Sequence, residues 1–449
     1  MPRWSGWSRR LRVERFAVLL VLATALYADG PAVGPGYTHI YNNEFDQALT
    51  YFQAQLKADP TDPQNYNHIA QTLLFREMLR DGAMESQMVS GNNPFLRRAK
   101  MEISPEEKQR FLDCIQQSTS LSDARLQRNP KDIEALFALA AAHGLKSNYL
   151  FLVEKSWIDS LKEATAARRE TERILQIDPK QVDAYFVIGL DHYIVGSLPF
   201  YLRAIGAMGG FTGDRARGIR EMEDVRAHGT RNRYDAEVML AVIYRREKDP
   251  QKAIPLLQDL AARFPRNYLF RFEQVQMYSD AGNQKAALQV IAEMENLQAN
   301  KSPGYTEIPP EKIQYTKANL QFWYGDLGPA LQNLQQVTSK AAALDLNTAV
   351  LAWLRLGQVY DLQGKHEDAI QAYRETVRTA PKSEAASEAK GYMTNPYHRK
   401  EKVDGRKKWT EEKVDGGSFY LIRNNPEYSP SVFNCLRPLF SVHFFALLS

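Results

Sequence analysis

The chain has 449 residues, 44% of them hydrophobic and 11% aromatic, which is ample for buried cores and excludes a wholly disordered polymer. Its formal net charge is +4, and residues 1–28, with five arginines against one glutamate, account for all of it. The remaining neutral body argues against nucleic acid as the main partner, and two cysteines, Cys114 and Cys435, far apart in sequence, are expected as free thiols, with Cys114 buried and inert.

Residues 1–28 have the layout of a secretory leader. Arginines precede an apolar run at 16–27 (FAVLLVLATALY), and small residues follow the spacing a signal peptidase accepts. The run is shorter than the roughly 20 residues that span a bilayer, so the expectation is export to the periplasm or envelope of a bacterium, with cleavage after Ala25 or Ala28. A mitochondrial leader is the alternative, but it should be amphipathic rather than continuously apolar.

A glycine- and proline-rich loop at 30–36 leads into a helix marked by Ala48, Phe52 and Pro60: a small residue, an aromatic four positions on, and a terminating proline. The next helix carries Tyr66, Ile69, Ala70 and Leu73. A polar stretch at 81–105 then interrupts the pattern as a protruding loop. Ser104, Pro105, Glu106 and Glu107 open a new helix that stops before Pro130, and an alanine-rich helix covers 132–143. Residues 146–179 are too many for an ordinary second helix and read as one extended or bent helix. Tyr185, Ile188 and Gly189 open the next pair.

Residues 195–213 (VGSLPFYLRAIGAMGGFTG) are apolar, glycine-rich and the least regular part; Thr212 or Asp214 suits the cap of the helix that follows. Beyond them regularity returns. Tyr244, Ala253 and Pro265 form one unit, and Tyr278, Gly282 and Ala287 the next, with Ala253 and Ala287 34 positions apart. Ala318, Gly325, Ala330 and Leu334 follow a loop at 300–310. The clearest copy is 353–381: Trp353, Leu356, Gly357 and Tyr360, then Gly364 in a turn, then Ala369, Tyr373 and Pro381. Small residues at Gly357 and Ala369 let two helices approach, and the large rings fill the space to the next pair.

This spacing, W-x2-L-G-x2-Y followed by A-x3-F/Y and a proline, resembles the tetratricopeptide repeat. The resemblance extends over residues 36–390 and implies an all-α right-handed solenoid of about eight helix pairs with irregular insertions. Residues 29–200 read as an irregular lobe, 201–391 as a regular lobe, and 392–449, polar with EKVDG twice and then apolar, as a poorly ordered tail. The glycine-rich turn at 206–213 followed by Asp214, Arg215 and Gly218 is similar to exported bacterial members of the family.

In that family the first helices line a concave face that takes an extended peptide or partner helix. By repeat phase, Phe137, Phe186, Tyr193, Phe272, Tyr315, Asn319 and Phe322 stand on that face. Catalytic constellations do not emerge: the eight histidines are scattered without H-E-x-x-H, and the glycine-rich segment lacks the Lys-Ser/Thr ending of a phosphate-binding loop. Asn67 and Asn319 are too few for the Lys/Asn clamp by which some relatives hold a C-terminal carboxylate. The expectation is a non-enzymatic exported scaffold for a protein or peptide partner, with no cofactor, no metal and no nucleic acid. The alternative is a small-ligand carrier or transport accessory subunit with an apolar pocket around 195–211.

Overall fold

The computed structural model describes residues 34–84, 100–197, 203 and 213–399. The leader, most of the loop at 81–105, most of the segment at 195–213, Cys435 and the tail beyond residue 399 lie outside the described residues.

Every regular element among the described residues is helical, and the fold is an all-α helical-repeat solenoid. Among the described residues eight helix pairs follow one another, then a single closing helix. The pairs are α1 (Pro35–Tyr41) with α2 (Phe45–Ala58), α3 (Pro63–Arg80) with α4 (Pro105–Arg128), α5 (Ile133–Tyr149) with α6 (Trp157–Ile177), and α7 (Tyr185–Gly196) with α8 (Arg215–His228). Then come α9 (Arg233–Arg246) with α10 (Pro250–Arg263), α11 (Tyr268–Asp280) with α12 (Gln284–Ala299), α13 (Pro310–Tyr324) with α14 (Leu327–Ser339), and α15 (Leu346–Leu362) with α16 (His366–Thr379). The closing helix is α17 (Glu384–Thr394).

Side-chain caps fix many of the starts. Asp62 accepts the Gln64 N–H at 2.9 Å, Ser104 that of Glu107 at 3.2 Å, Asp132 that of Ala135 at 3.0 Å, and Asp214 that of Arg217 at 3.0 Å. Each satisfies a donor that a helix start leaves unpaired.

The repeat framework packs as its spacing requires. Ala48, Ala253, Ala287 and Ala369 are completely buried, and Phe52, Tyr244, Leu356 and Tyr373 lie in the core. Tyr185, Tyr278, Trp353 and Tyr360 are half-buried at its margin, Gly282 and Gly364 turn the chain, and Pro60, Pro265 and Pro381 are exposed at helix ends. Gly357 marks the closest approach: a Cβ there would fall 2.3 Å from the Tyr373 ring. That ring is fixed, because its hydroxyl donates to Asp361 Oδ2 at 2.7 Å.

The chain divides into two compact units. The first takes the described residues up to Ile40 and those of Glu44–Ile243; the second takes Tyr41–Asn43 and the described residues of Tyr244–Gly416. Tyr41–Asn43 joins the second through Asn267, whose Nδ2 donates to the Tyr41 carbonyl at 2.8 Å and whose Oδ1 accepts from Asn43 at 2.9 Å. The division does not fall near residue 200, because α7 and α8 pack closely across the irregular segment. A Cβ on Gly218 would meet the Gly189 carbonyl at 2.4 Å.

Two elements differ from the sequence reading. Residues 146–179 are not one helix: α5 runs to Tyr149, a π-helical turn covers Leu150–Glu154, and Lys155 adopts a left-handed φ of 56° before α6 begins. The Leu152 carbonyl in this turn accepts the Met101 N–H at 3.2 Å, so the turn receives the returning end of the loop. Residues 392–399 are not a loose tail. The first three complete α17, and the remainder packs against the last repeats.

Candidate functional site

The aromatic face read from repeat phase is mostly interior. Phe137, Phe186, Tyr193, Tyr315 and Phe322 are all buried, which corrects their expected exposure. Phe137 lies beneath the Arg231 guanidinium, 5.0 Å from the ring centroid. Phe272 is half-buried, edge-on to Tyr268 at 5.9 Å, and Asn319 is half-buried with its Oδ1 enclosed and without a partner. For Phe137, Phe186 and Tyr193 the physical reason is that α5 (IEALFALAAAH) and α7 (YFVIGLDHYIVG) are apolar over most of their surface, and such a helix is covered on most faces. By length and composition Ile133–Glu154 could cross a membrane, but its apolar window is 78% buried, as in a core helix.

An opening does exist in the first unit. A cleft of about 740 Å³ is lined by Phe52 and Gln55 of α2, by the turn from Asp59 to Asp62, and by Gln64, Asn65 and His68 of α3. Arg125, Glu134, Thr230 and Arg231 complete its wall.

The charged rim is held in place. Arg125 grips Asp132 with two hydrogen bonds, 2.9 and 3.1 Å, and Arg231 pairs with Glu134. The turn bearing Arg231 is fixed by Asp183, which accepts from the N–H groups of Thr230, Arg231 and Asn232 at 3.1, 3.0 and 2.9 Å. Two neighbouring carboxyls are pushed in opposite directions. The Thr61 hydroxyl draws Asp59 below the usual carboxylate range, while burial raises Asp62.

The floor is different. Gln64 Oε1 accepts from Asn67 at 3.1 Å, but its Nε2 is buried without a hydrogen-bond partner. One turn on, His68 Nε2 is also buried without a partner. The imidazole lies between Phe52, at 4.7 Å, and Tyr37, at 5.3 Å, and burial pushes its pKa down to about 3, so it is neutral. Four residues apart, the two groups share one face of α3. A buried polar group left unpaired costs about 1–3 kcal/mol, and here two of them lie behind one cleft wall.

Apart from Phe52, a framework position, none of the cleft residues was singled out from the sequence. The available signal was a polar stripe, Gln64, His68 and Gln71, on a helix whose remaining spacing is that of a buried framework. The apolar pocket expected around 195–211 falls mostly outside the described residues. Cys114, the free cysteine among the described residues, is buried, and burial pushes its thiol up to about 11.

Residues 238–301 and 329–384 match a family profile described as tetratricopeptide repeat. Over these 120 of its 449 residues the chain is similar to tetratricopeptide repeats. Among solved structures the chain is similar to YrrB, described as a tetratricopeptide repeat protein with an unusual peptide-binding site, at 16% identity over 60% of this chain and 97% of that one, with a TM-score of 0.27. A tetratricopeptide repeat protein from Parabacteroides merdae aligns at 12% identity over 80% of this chain and 96% of its own, with a TM-score of 0.27. Yeast Tom70 aligns at 13% identity over 80% and 93%, with a TM-score of 0.36. No curated protein matches the chain.

Proposed function

We propose that the protein is a non-enzymatic interaction scaffold that takes an extended segment of a protein partner into the cleft lined by Phe52, Gln64, His68, Arg125 and Arg231. The observation that carries this reading is the pair of unpartnered buried groups on α3, Gln64 Nε2 and His68 Nε2. A main chain offers a carbonyl for the Gln64 amide and either an N–H or a carbonyl for the imidazole, according to its tautomer. The rim, with carboxylates and guanidiniums close together, suits a polar segment of either sign.

The test compares the wild-type chain with Gln64→Leu/His68→Phe as bait in extract from the host cell. Partners read by mass spectrometry should be lost with the variant and retained with Lys285→Ala, a change outside the residues that line the cleft. Identical partner sets from all three baits would refute the cleft. Export belongs to the same proposal and rests on residues 1–28. Terminal sequencing of the host-made protein should begin after Ala25 or Ala28, and an intact Met1 would overturn that part alone.

A further inference from the structure

In the second unit a surface expected to meet a partner is already occupied by the chain itself. After α17 the chain leaves helical geometry, and residues 395–399 (NPYHR) cross the side of α13 and α15 on which Phe322 lies. From Tyr397 to Arg399 the side chains alternate as in an extended peptide: Tyr397 and Arg399 are half-buried, and His398 between them is exposed. The Tyr397 ring rests 6.1 Å from that of Phe322 and edge-on to Tyr392 at 5.3 Å. Its backbone N–H donates to Asp361 Oδ2 at 2.7 Å. The Arg399 guanidinium lies 5.1 Å from the centre of the Phe322 ring and donates to the Phe322 carbonyl in the last turn of α13, where a cation also meets the negative end of the helix dipole.

The receiving side is built without help from this strap. Asp361 is held by the Tyr373 hydroxyl at 2.7 Å and by His366 Nδ1 at 2.6 Å. Arg355 is stacked over Phe322 at 4.2 Å and Trp323 at 4.7 Å, and it is oriented by Gln358 at 2.7 Å. A fixed carboxylate for a backbone N–H, an aromatic floor for a ring, and a helix carbonyl for a guanidinium together describe a peptide site. The strap adds no element of its own to that framework.

We propose that Phe322, Trp323, Arg355 and Asp361 form a second recognition site, selective for an extended Tyr-x-Arg segment of a protein partner, and that residues 395–399 fill it as an internal ligand the partner must displace. This goes beyond the cleft of the first unit and does not depend on it.

The experiment titrates a fluorescein-labelled NPYHR peptide into full-length wild-type chain and into the full-length Tyr397→Ala/Arg399→Ala variant, with NPAHA as control peptide. A site closed nine-tenths of the time raises the apparent Kd about tenfold, so the variant should bind NPYHR about ten times more tightly than wild type, and NPAHA should bind neither. Arg399→Ala alone, which leaves Tyr397 and α17 untouched, should shift binding in the same direction by a smaller factor. Equal binding of NPYHR and NPAHA to variants whose helical circular dichroism melts like wild type would overturn the proposal. So would equal affinity of NPYHR for wild type and for both variants.

Discussion

His68 shows how much one side chain can depend on its enclosure. Packed between Phe52 and Tyr37, its imidazole is held down to about 3 by burial, against an ordinary 6.5. The unfolded chain therefore binds the proton more readily than the folded one. The stability His68 contributes is complete above about pH 6.5 and is lost as pH falls toward about 3, on the order of 1 kcal/mol per unit. Urea midpoints taken at about pH 7.5 and pH 4.5 should fall further for wild type than for His68→Phe, which keeps the ring stack and removes the titration. Parallel falls in the two proteins would place the acid sensitivity elsewhere. The same residue illustrates what the sequence concealed. Repeat phase led to Phe137, Phe186 and Phe322 as exposed positions, but whether a position is open depends on what crosses it. Arg231 arrives over Phe137 from a turn 94 positions away, and Tyr397 and Arg399 arrive over Phe322 from beyond the last repeat. No local spacing encodes those visits.

Among the elements, those set by local chemistry were legible and those set by distant contacts were not. Ser104, Asp132 and Asp214 cap helices where their type and position suggest, and Gly357 with Tyr373 sets the separation of α15 from α16. The Gly357 site gives a direct test. In Gly357→Ala the new methyl meets a buried ring that its bond to Asp361 prevents from moving aside, so the variant should lose about 1–3 kcal/mol, read by thermal or urea unfolding. An unchanged midpoint would mean that α15 and α16 can separate freely. The π turn at Leu150–Glu154 was hidden because its partner, the Met101 N–H, returns from a distant loop. Helix α17 was hidden because it lacks the paired small and large spacing of the repeats; its Ala385 and Ala389 pack in one cluster with Tyr373 and Val350.

For the whole molecule, repeats that bury their faces against neighbours confine a perturbation to those neighbours. Hydrogen exchange on Gly357→Ala should thus lose protection between α13 and α17, with α4, α5 and α6 retaining theirs. Uniform loss across all helices would show instead a single cooperative unit. The fold was the most legible level, since framework positions recur and each copy corroborates the others. The candidate site was the least, because Gln64, His68, Arg125 and Arg231 come from three separate stretches of chain that only the stacking of pairs brings to one cleft.

The burial of Cys114 has a practical consequence. A thiol raised to about 11 carries almost no thiolate at neutral pH, so maleimide reagents will pass over it in the folded protein. Once Cys435 is replaced by serine, one engineered cysteine becomes a unique attachment point, and Ile158 and Leu346, 63% and 62% exposed, are ready positions for it. A dye on Leu346 would stand at the head of the helix that carries Arg355 and Asp361, about four turns from the strap.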